Sequence, residues 1–426
     1  MKTKIFLFIF LSCLLSCQNN NDFPGVQEED PSSIPLIPRQ DIKLSAVEQE
    51  LSATTNRFAF NLFKQIYKED AQKNILISPL SASLAFSMLN NGAAGSTQEE
   101  IEQTLGFGNV SREEINIYMQ KLVEAMKTLD PRGIFESANS IWIQNEFPVL
   151  DAFKQVNRKY YEAEIQNVDF NNPATLKTIN NWVSNKTHGK IPTILDELPF
   201  LSYFYLINAL YFKGYWSDPF DIKETVDAAF RTSEGSVQKV PTMRKVTSRY
   251  AKVGNCSAVE LPFGNKAFSL VVVLPEEGTP LTDVVEKIDD DWWDQISDFD
   301  GFAHDLALEK QKYSVHLEIP RFKIEYERML NNDLKALGMK APFDSKECNL
   351  SLISQSKLFI NLVKQKTFAQ LDENGMEAAA VTIIMTYGAT NLLEIEIDFK
   401  VDRPFLYFIK EKSTNLVFFA GVINKI

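Results

Sequence analysis

The sequence has few of the residues from which metal centres and disulfide scaffolds are built. It contains 4 cysteines and 3 histidines in 426 residues. The histidines, His188, His304 and His316, form no cluster with ligand spacing, and neither Cys-x-x-Cys nor His-Glu-x-x-His occurs. A P-loop and a Gly-x-Ser-x-Gly motif are also missing. We therefore expect no cofactor and no metal, and a protein that is not an enzyme.

The sequence also lacks an excess of basic residues. Lys and Arg number 44 against 56 Asp and Glu, which gives a formal net charge of −12. A nucleic-acid partner requires a basic face, so we expect none. Acidity of this size is typical of an ordinary soluble surface.

Long hydrophobic runs are scarce, and the clearest one lies at the N-terminus. Ile5–Leu15 follows two lysines and is too short to span a bilayer, so it is typical of a signal peptide. It runs into Leu-Leu-Ser-Cys17, which resembles a bacterial lipobox. The resemblance implies removal of a lipoprotein signal peptide, residues 1–16, and lipidation of Cys17. Cys13 is the less favoured alternative, because Phe10 stands where the motif requires Leu.

Residues 17–44 are rich in Asn, Pro, Ser and acidic residues, a composition typical of a solvated linker. We expect a lipidated flexible tether that holds a domain at a bacterial membrane, on its outer-membrane, periplasmic or cell-surface face.

With Cys17 lipidated, only Cys256 and Cys348 remain to pair. Two cysteines are too few for a disulfide scaffold, so we expect isolated buried thiols.

Residues 45–426 have the composition of one large folded domain. Hydrophobic residues make up 45% of the chain and include 31 Phe, which is ample for a deep core. Helical periodicity prevails in the first half, and strand patterns such as Phe204–Phe212 and Phe268–Leu274 prevail in the second. Tyr326–Leu337, which ends at Gly338, is expected to be a helix. Without any repeat, this order favours a single α+β domain over βαβ units.

The stretch from Leu371 to Leu393 has conflicting local propensities. It opens with a charged, glycine-containing turn and continues through Ala378–Ala380, which favours a helix. Val381–Ile384 is β-branched and favours a strand. Such a segment is a candidate for a conformational switch. The alternative is a buried strand that follows a glycine turn.

Four motifs, in order along the chain, resemble those of the serpin family. They correspond to the segment beneath the family's main sheet, the segment after its sixth helix, its long central strand with the Trp at the opening end, and its C-terminal signature: Asn74–Ser81, Trp182–Ile191, Asn208–Trp216 and Phe399–Ile409. The resemblance implies a large central mixed β-sheet, further β-sheets, about eight to nine helices and an exposed reactive-centre loop at about 374–398. It implies sheet-opening and core roles for Ser78, Ser81, Asn208 and Trp216.

The resemblance also assigns a hinge to the start of the switch candidate. The hinge residues are Glu373, Gly375, Met376, Glu377, Ala378, Ala379 and Ala380. In inhibitory members a protease attacks the loop and forms an acyl-enzyme, and the cut loop then inserts into the main sheet with the protease attached. The resemblance therefore implies a target protease as covalent partner, and we expect the inhibitor to be a monomer.

The alternation of the loop fits an inserted strand with one buried face. Alternate side chains of a strand face the core. Residues 376, 378, 380, 382, 384 and 386 are Met, Ala, Ala, Thr, Ile and Thr, none of them charged.

The family's spacing from the hinge glycine places the reactive bond at Ala389–Thr390. A small residue before the cut suits elastase-like proteases, whose specificity pocket is shallow. Tyr387, Leu392 and Leu393 are alternatives, and Tyr387 would admit chymotrypsin-like enzymes. A papain-like cysteine protease is a further candidate target.

Trypsin-like targets are excluded by composition. No Lys or Arg lies between Glu373 and Lys400, so the loop offers no basic side chain to an acidic specificity pocket.

Two residues depart from the family pattern. Met376 stands where inhibitors carry Thr or Ser, and its bulk would slow insertion. Gln365 stands where many members carry a buried His, so hydrogen bonding there does not titrate. A non-inhibitory serpin that acts as a surface binding protein is therefore the alternative function, although the alanines of the hinge argue against it.

Overall fold

The computed structural model describes residues 34–198, 203–309, 311–376 and 393–426. Ten α-helices lie within these ranges: α1 Ala46–Asp70, α2 Pro79–Asn90, α3 Gly95–Leu105, α4 Arg112–Thr128, α5 Asp151–Tyr161, α6 Pro173–Lys186, α7 Leu281–Lys287, α8 Asp290–Ile296, α9 Phe299–Leu308 and α10 Asn331–Ala336.

Sixteen β-strands lie in the same part of the chain. They are β1 Ile75–Ile77, β2 Ile134–Gln144, β3 Glu164–Val168, β4 Phe204–Tyr215, β5 Val226–Arg231, β6 Val237–Thr247, β7 Tyr250–Val253, β8 Cys256–Phe263, β9 Phe268–Pro275, β10 Gln311–Pro320, β11 Phe322–Met329, β12 Leu362–Asp372, β13 Gly375–Met376, β14 Leu393–Lys400, β15 Phe405–Glu411 and β16 Val417–Ile423.

The strands form three sheets. The central sheet has the order β11-β12-β13-β4-β2-β3, the back sheet has the order β1-β16-β15-β9-β8-β7, and a third sheet has the order β14-β10-β6-β5. Parallel and antiparallel pairs both occur in the central sheet, since β12 runs parallel to β4 and β2 runs antiparallel to it. The predicted α+β class with a central mixed sheet is confirmed; the described helices number ten, where eight or nine were expected.

The prediction of a helix over Tyr326–Leu337 is wrong in its first part, because β11 extends to Met329. Phe322, Ile324 and Tyr326 are buried and alternate with exposed residues, the period of a half-buried strand. The helix that follows is limited to Asn331–Ala336.

Aromatic side chains fill the space between the central and back sheets. Phe418 of β16 is fully buried, and its ring centroid lies 5.2 Å from that of Phe212 on β4. Phe135 and Phe268 lie 5.8 and 5.7 Å from the same ring. Edge-to-face contacts of this kind add to the area that the rings bury. The even-numbered residues of β4 therefore face the main core.

The other face of the central sheet is covered by α6. Ile179 and Val183 of this helix belong to a second buried cluster with Tyr205, Ile207 and Ala209 of β4. The odd-numbered residues of β4 therefore face away from the main core. The main core packs against one face of the central sheet, and α6 packs against the other. The side chains of an inserted strand would alternate between these two faces, so its register would decide which of them enter the main core.

The described part of the expected tether lies along the folded body. Arg132 Nε donates to the carbonyl oxygen of Ile34 at 2.8 Å, and the backbone N–H of Ile42 donates to Ser413 Oγ at 2.9 Å. The signal peptide, Cys13 and Cys17 lie outside the described residues. In the part of the chain that is described, no helix is both long and apolar enough to cross a bilayer.

Cys256 and Cys348 are both buried and free, as the sequence predicts. Burial raises the pKa of the Cys256 thiol to about 11 and that of the Cys348 thiol to about 12. Both therefore stay protonated near neutral pH and are unreactive.

Candidate functional site: the hinge at the gap in the central sheet

The central sheet contains a gap that is one strand wide at one end. At the other end, β12 and β4 pair directly, with Leu362 opposite Tyr205 and Val363 opposite Leu206. Toward the C-terminal ends of these two parallel strands, β13 lies between them and pairs with both. β12 and β4 thus keep one register along their length and are separated over their last residues.

Two residues of the predicted hinge occupy this gap. Gly375 lies between Asp372 and Tyr215, and Met376 lies between Leu371 and Gly214. Met376 is only 2% exposed, so its side chain faces the core. β13 therefore ends between two strands of the central sheet and not at its edge.

Gly375 is required by its close approach to β4. A Cβ atom at this position would overlap the carbonyl oxygen of Gly214 and lie 2.8 Å from the Cα of Tyr215. Its φ of +154° is also one that residues with a side chain rarely adopt. The position of β13 between β12 and β4 thus depends on the absence of a side chain at Gly375.

The turn before β13 is held by Trp216, the residue that follows β4. Its indole Nε1 donates to the carbonyl oxygen of Asp372 at 2.9 Å, and its backbone N–H donates to the carbonyl oxygen of Asn374 at 2.8 Å. The indole stacks on Phe263 of the back sheet, with ring centroids 4.6 Å apart and planes 9° apart. Trp216 thus joins the hinge turn to the back sheet.

Glu373 provides a second, charged attachment of the same turn. Its side chain is buried and accepts hydrogen bonds from Arg321 Nε, at 2.7 Å, from Arg321 Nη2 and from Thr225 Oγ1. Burial opposes its charge, but these hydrogen bonds outweigh burial and hold the pKa of Glu373 below its ordinary value. Burial raises the pKa of the neighbouring Asp372 carboxyl. Sequence reasoning missed Arg321, since no motif marks it.

Polar side chains connect the middle of β4 to the helix beneath it. Ser81 on α2 donates through Oγ to Asn208 Oδ1, and Asn208 Nδ2 donates to Asn139 Oδ1 on β2. These three side chains are buried, so their hydrogen bonds meet the requirement that buried polar groups be paired.

A parallel connection fixes β12. Gln365 Nε2 donates to the carbonyl oxygen of Ser78 at 2.8 Å, and Gln365 Oε1 accepts from the backbone N–H of Ser78 at 2.9 Å. Ser78 caps α2, and its Oγ donates to the carbonyl oxygen of Phe418 at 2.9 Å. The amide thus acts once as donor and once as acceptor, and neither hydrogen bond depends on pH.

The rest of the predicted site lies outside the described residues. This is true of Glu377, Ala378, Ala379 and Ala380 of the hinge and of Tyr387, Ala389, Thr390 and Leu392 of the reactive bond. Leu393 is the first residue of β14, and its side chain is 72% exposed. At the two ends of the expected loop, residues 374–376 belong to the hinge turn and β13, and residues 393–398 belong to β14.

The hydrogen bonds of the ionised Glu373 carboxylate predict that the stability of the protein depends on pH. We expect Glu373→Gln to lower the free energy of unfolding at pH 7 by about 1.5–3 kcal/mol, the usual contribution of a hydrogen bond to a charged group. Because the folded-state pKa of Glu373 is lowered, the advantage of wild type is complete above the unfolded-state pKa, about 4.3. It is lost as the pH falls through the folded-state pKa.

Urea unfolding at a series of pH values between 7 and 3 would measure this difference. Glu325→Gln on β11 is the matched control, since that side chain is exposed and should change stability little. A difference between wild type and Glu373→Gln that is absent at pH 7, or undiminished at pH 3, would contradict the assignment.

Comparison with known proteins agrees with this geometry. A family model described as "Serpin (serine protease inhibitor)" matches residues 53–426. The leukocyte elastase inhibitor of Homo sapiens is 32% identical over 392 residues, which cover 88% of this chain and 98% of that protein. Iripin-2 of Ixodes ricinus is 30% identical over 389 residues, which cover 89% and 94%.

Solved structures are similar over the same extent. The native state of the thermophilic serpin tengpin has a TM-score of 0.78 at 30% identity, covering 93% of this chain and 98% of that one. Human thyroxine-binding globulin has a TM-score of 0.78 at 27% identity, covering 89% and 99%. Since the family model spans residues 53–426 and these relatives match over nearly their whole length, the chain belongs to the serpin family.

Proposed function

We propose that this protein inhibits elastase-like serine proteases by trapping them as they cut the loop at Ala389–Thr390. One observation carries the proposal: Gly375 and Met376 are already a strand of the central sheet, and the loop continues directly from them. The description of the family and the elastase inhibitors among the relatives support the same function. A trap of this kind is a partner of proteases and not an enzyme.

The register of β13 indicates how the cut loop would insert. Met376 lies between Leu371 and Gly214, and β13 runs antiparallel to both β12 and β4. Each later loop residue would therefore lie between residues one position earlier in β12 and in β4. Ala378 would therefore lie between Ala369 and Phe212, which are 3% and 6% exposed. The even-numbered loop residues would face the main core, and the odd-numbered ones, Glu377 included, would face away from it.

Burial of side chains and relief of strain in the intact fold are the sources of free energy for this insertion. Each new ladder hydrogen bond contributes about 0.5–1.5 kcal/mol, while fixing each residue costs about 1–2 kcal/mol, so these terms nearly cancel. Burial of Ile384 contributes about 1.5–3 kcal/mol, and small side chains such as Ala378 and Ala380 enter without crowding. An inserted segment from Gly375 to Ala389 would span roughly 46 Å, enough to carry a bound protease across the molecule.

The target class follows from the loop sequence. Ala389 fits a shallow specificity pocket, and cleavage at Tyr387 would extend the range to chymotrypsin-like enzymes. Cleavage at Leu392 or Leu393 and capture of a papain-like cysteine protease are the other outcomes that mapping of the cut would reveal.

We also propose that Cys17 is lipidated and anchors the inhibitor to a bacterial membrane. The sequence Leu-Leu-Ser-Cys17, which resembles a bacterial lipobox, supports this proposal. Several acyl chains on one residue give stable anchoring.

A denaturing gel tests the trapping function. The protein mixed with neutrophil elastase should give a covalent band near the sum of the two masses, and mass spectrometry of the released C-terminal peptide should place the cut after Ala389. Trypsin is the control and should form no such band with this loop. If elastase yields only clipped inhibitor, the surface binding function is the better description.

The face assignment of the loop is tested by a pair of variants. Ala378→Glu places a charge on the core face, where burial of an unpaired charge is costly, and each 1.4 kcal/mol added to the insertion barrier slows insertion about tenfold. We expect this variant to be cut as a substrate. Ala379→Glu, on the outward face, should still trap elastase. The ratio of inhibitor consumed to protease inhibited measures both, and equal ratios would contradict the register.

The anchor is tested by Cys17→Ser. Wild type expressed in a Gram-negative bacterium should incorporate labelled palmitate and sediment with membranes, whereas the variant should incorporate none. Label that persists in Cys17→Ser and disappears in Cys13→Ser would move the modification to Cys13.

A further inference from the structure

A cavity of about 510 Å³ lies between the third sheet and the back sheet. The ends of β6, β10 and β14 form one wall, and β8 and the residues after β4 form the other. Its volume is within the range of cavities that hold small organic ligands.

Part of the inner surface of the cavity is apolar. Trp216 and Leu261, both 3% exposed, contribute to it together with Pro262. Tyr313 adds an aromatic ring that packs on Tyr250 with centroids 4.9 Å apart. A hydrocarbon group in this part of the cavity would contact these apolar side chains.

The charged groups of the lining are mainly cationic, in a protein whose formal charge is −12. Four of them are basic and two are acidic: Lys245, Arg249, Lys266 and Lys312 against Asp218 and Glu394. Ion pairs within the protein neutralise three of these cations, so an anionic ligand would be attracted by the fourth, Lys266.

Three of the four cations already have protein partners. Lys245 Nζ lies 2.6 Å from Asp218 Oδ2, Lys312 Nζ lies 2.7 Å from Glu394 Oε1, and Arg249 pairs with Glu260 and Asp300.

Lys266 differs from them, because it forms no ion pair with any of the described residues. Its backbone has a φ of +73°, and its N–H donates to the carbonyl oxygen of Phe263 at 2.7 Å. The hydroxyls of Tyr313 and Ser314 likewise have no hydrogen-bond partner in the described part of the chain.

We propose that this cavity binds a small amphipathic carboxylate, with its hydrocarbon part against Trp216 and Leu261 and its carboxylate paired with Lys266. The Tyr313 hydroxyl is a neutral donor that lines the same cavity.

The ligand would contact both segments that flank the loop. Trp216 holds the carbonyl oxygens of Asp372 and Asn374 before the loop, and Glu394 is the second residue of the strand after it. A ligand packed on the indole favours the state in which Trp216 is hydrogen-bonded to the hinge turn. Bound ligand therefore stabilises β13 in its position between β12 and β4. This coupling does not depend on protease inhibition.

The binding is tested with 4-(trifluoromethyl)phenylacetate and the full chain, followed by fluorine NMR. We expect saturable binding with a Kd below about 1 mM, and at least tenfold weaker binding of the matched neutral amide. Lys266→Asn, which keeps a residue tolerant of positive φ, should weaken carboxylate binding about tenfold or more. Lys239→Asn, on β6 outside the cavity, is the control and should leave the Kd unchanged.

Equal affinity of the amide and the carboxylate, or equal loss in both lysine variants, would overturn the assignment of the carboxylate to Lys266. Binding that never saturates would overturn the site itself.

Hydrogen exchange tests the connection to the hinge. With the probe bound, the amides of residues 372–376 should exchange more slowly in wild type, and the probe should leave exchange in Lys266→Asn unchanged at the same concentration. Exchange that is the same with and without the probe at saturation would overturn the coupling.

Discussion

The structure depends on one constraint in the central sheet: two parallel strands share a register but are kept apart at one end by two residues. β12 and β4 pair directly at Leu362 and Val363, and β13 separates them where Gly375 and Met376 lie. A ladder that is closed at one end and open at the other has unused places for backbone hydrogen bonds. It can accept further residues of one strand without a new turn, because the hairpin of β12 and β13 already exists.

The contacts around the gap hold its two sides in different ways. At the open end, the hinge turn is attached by Trp216, which hydrogen-bonds two of its carbonyl oxygens, and by the ion pair of the buried Glu373 carboxylate with the partly exposed Arg321. In the middle, Gln365 and Asn208 attach β12 and β4 separately to the residues at and just after the start of α2. Each strand is therefore fixed from beneath by its own hydrogen bonds, and separation of the strands need not break either set.

Trp216 also connects the hinge to the cavity between the third and back sheets. Its indole packs on Phe263, donates to the hinge turn and lines the cavity. A single rigid aromatic residue thus contacts three parts of the molecule, and these contacts are the basis of the proposed coupling between the cavity and the hinge.

The sequence by itself determined the α+β class, the buried state of Cys256 and Cys348 and the place of the Gly375 turn, because periodicity, composition and glycine chemistry are local properties. It failed at Tyr326–Met329, where the helical spacing of Leu330, Leu334 and Leu337 concealed a strand with a period of two. Only the tertiary structure decided that Met376 is already between β12 and β4, that Arg321 pairs with Glu373, and that Lys266 lines a cavity. These facts depend on contacts between residues that are far apart in the chain, and no local pattern encodes which distant side chains meet.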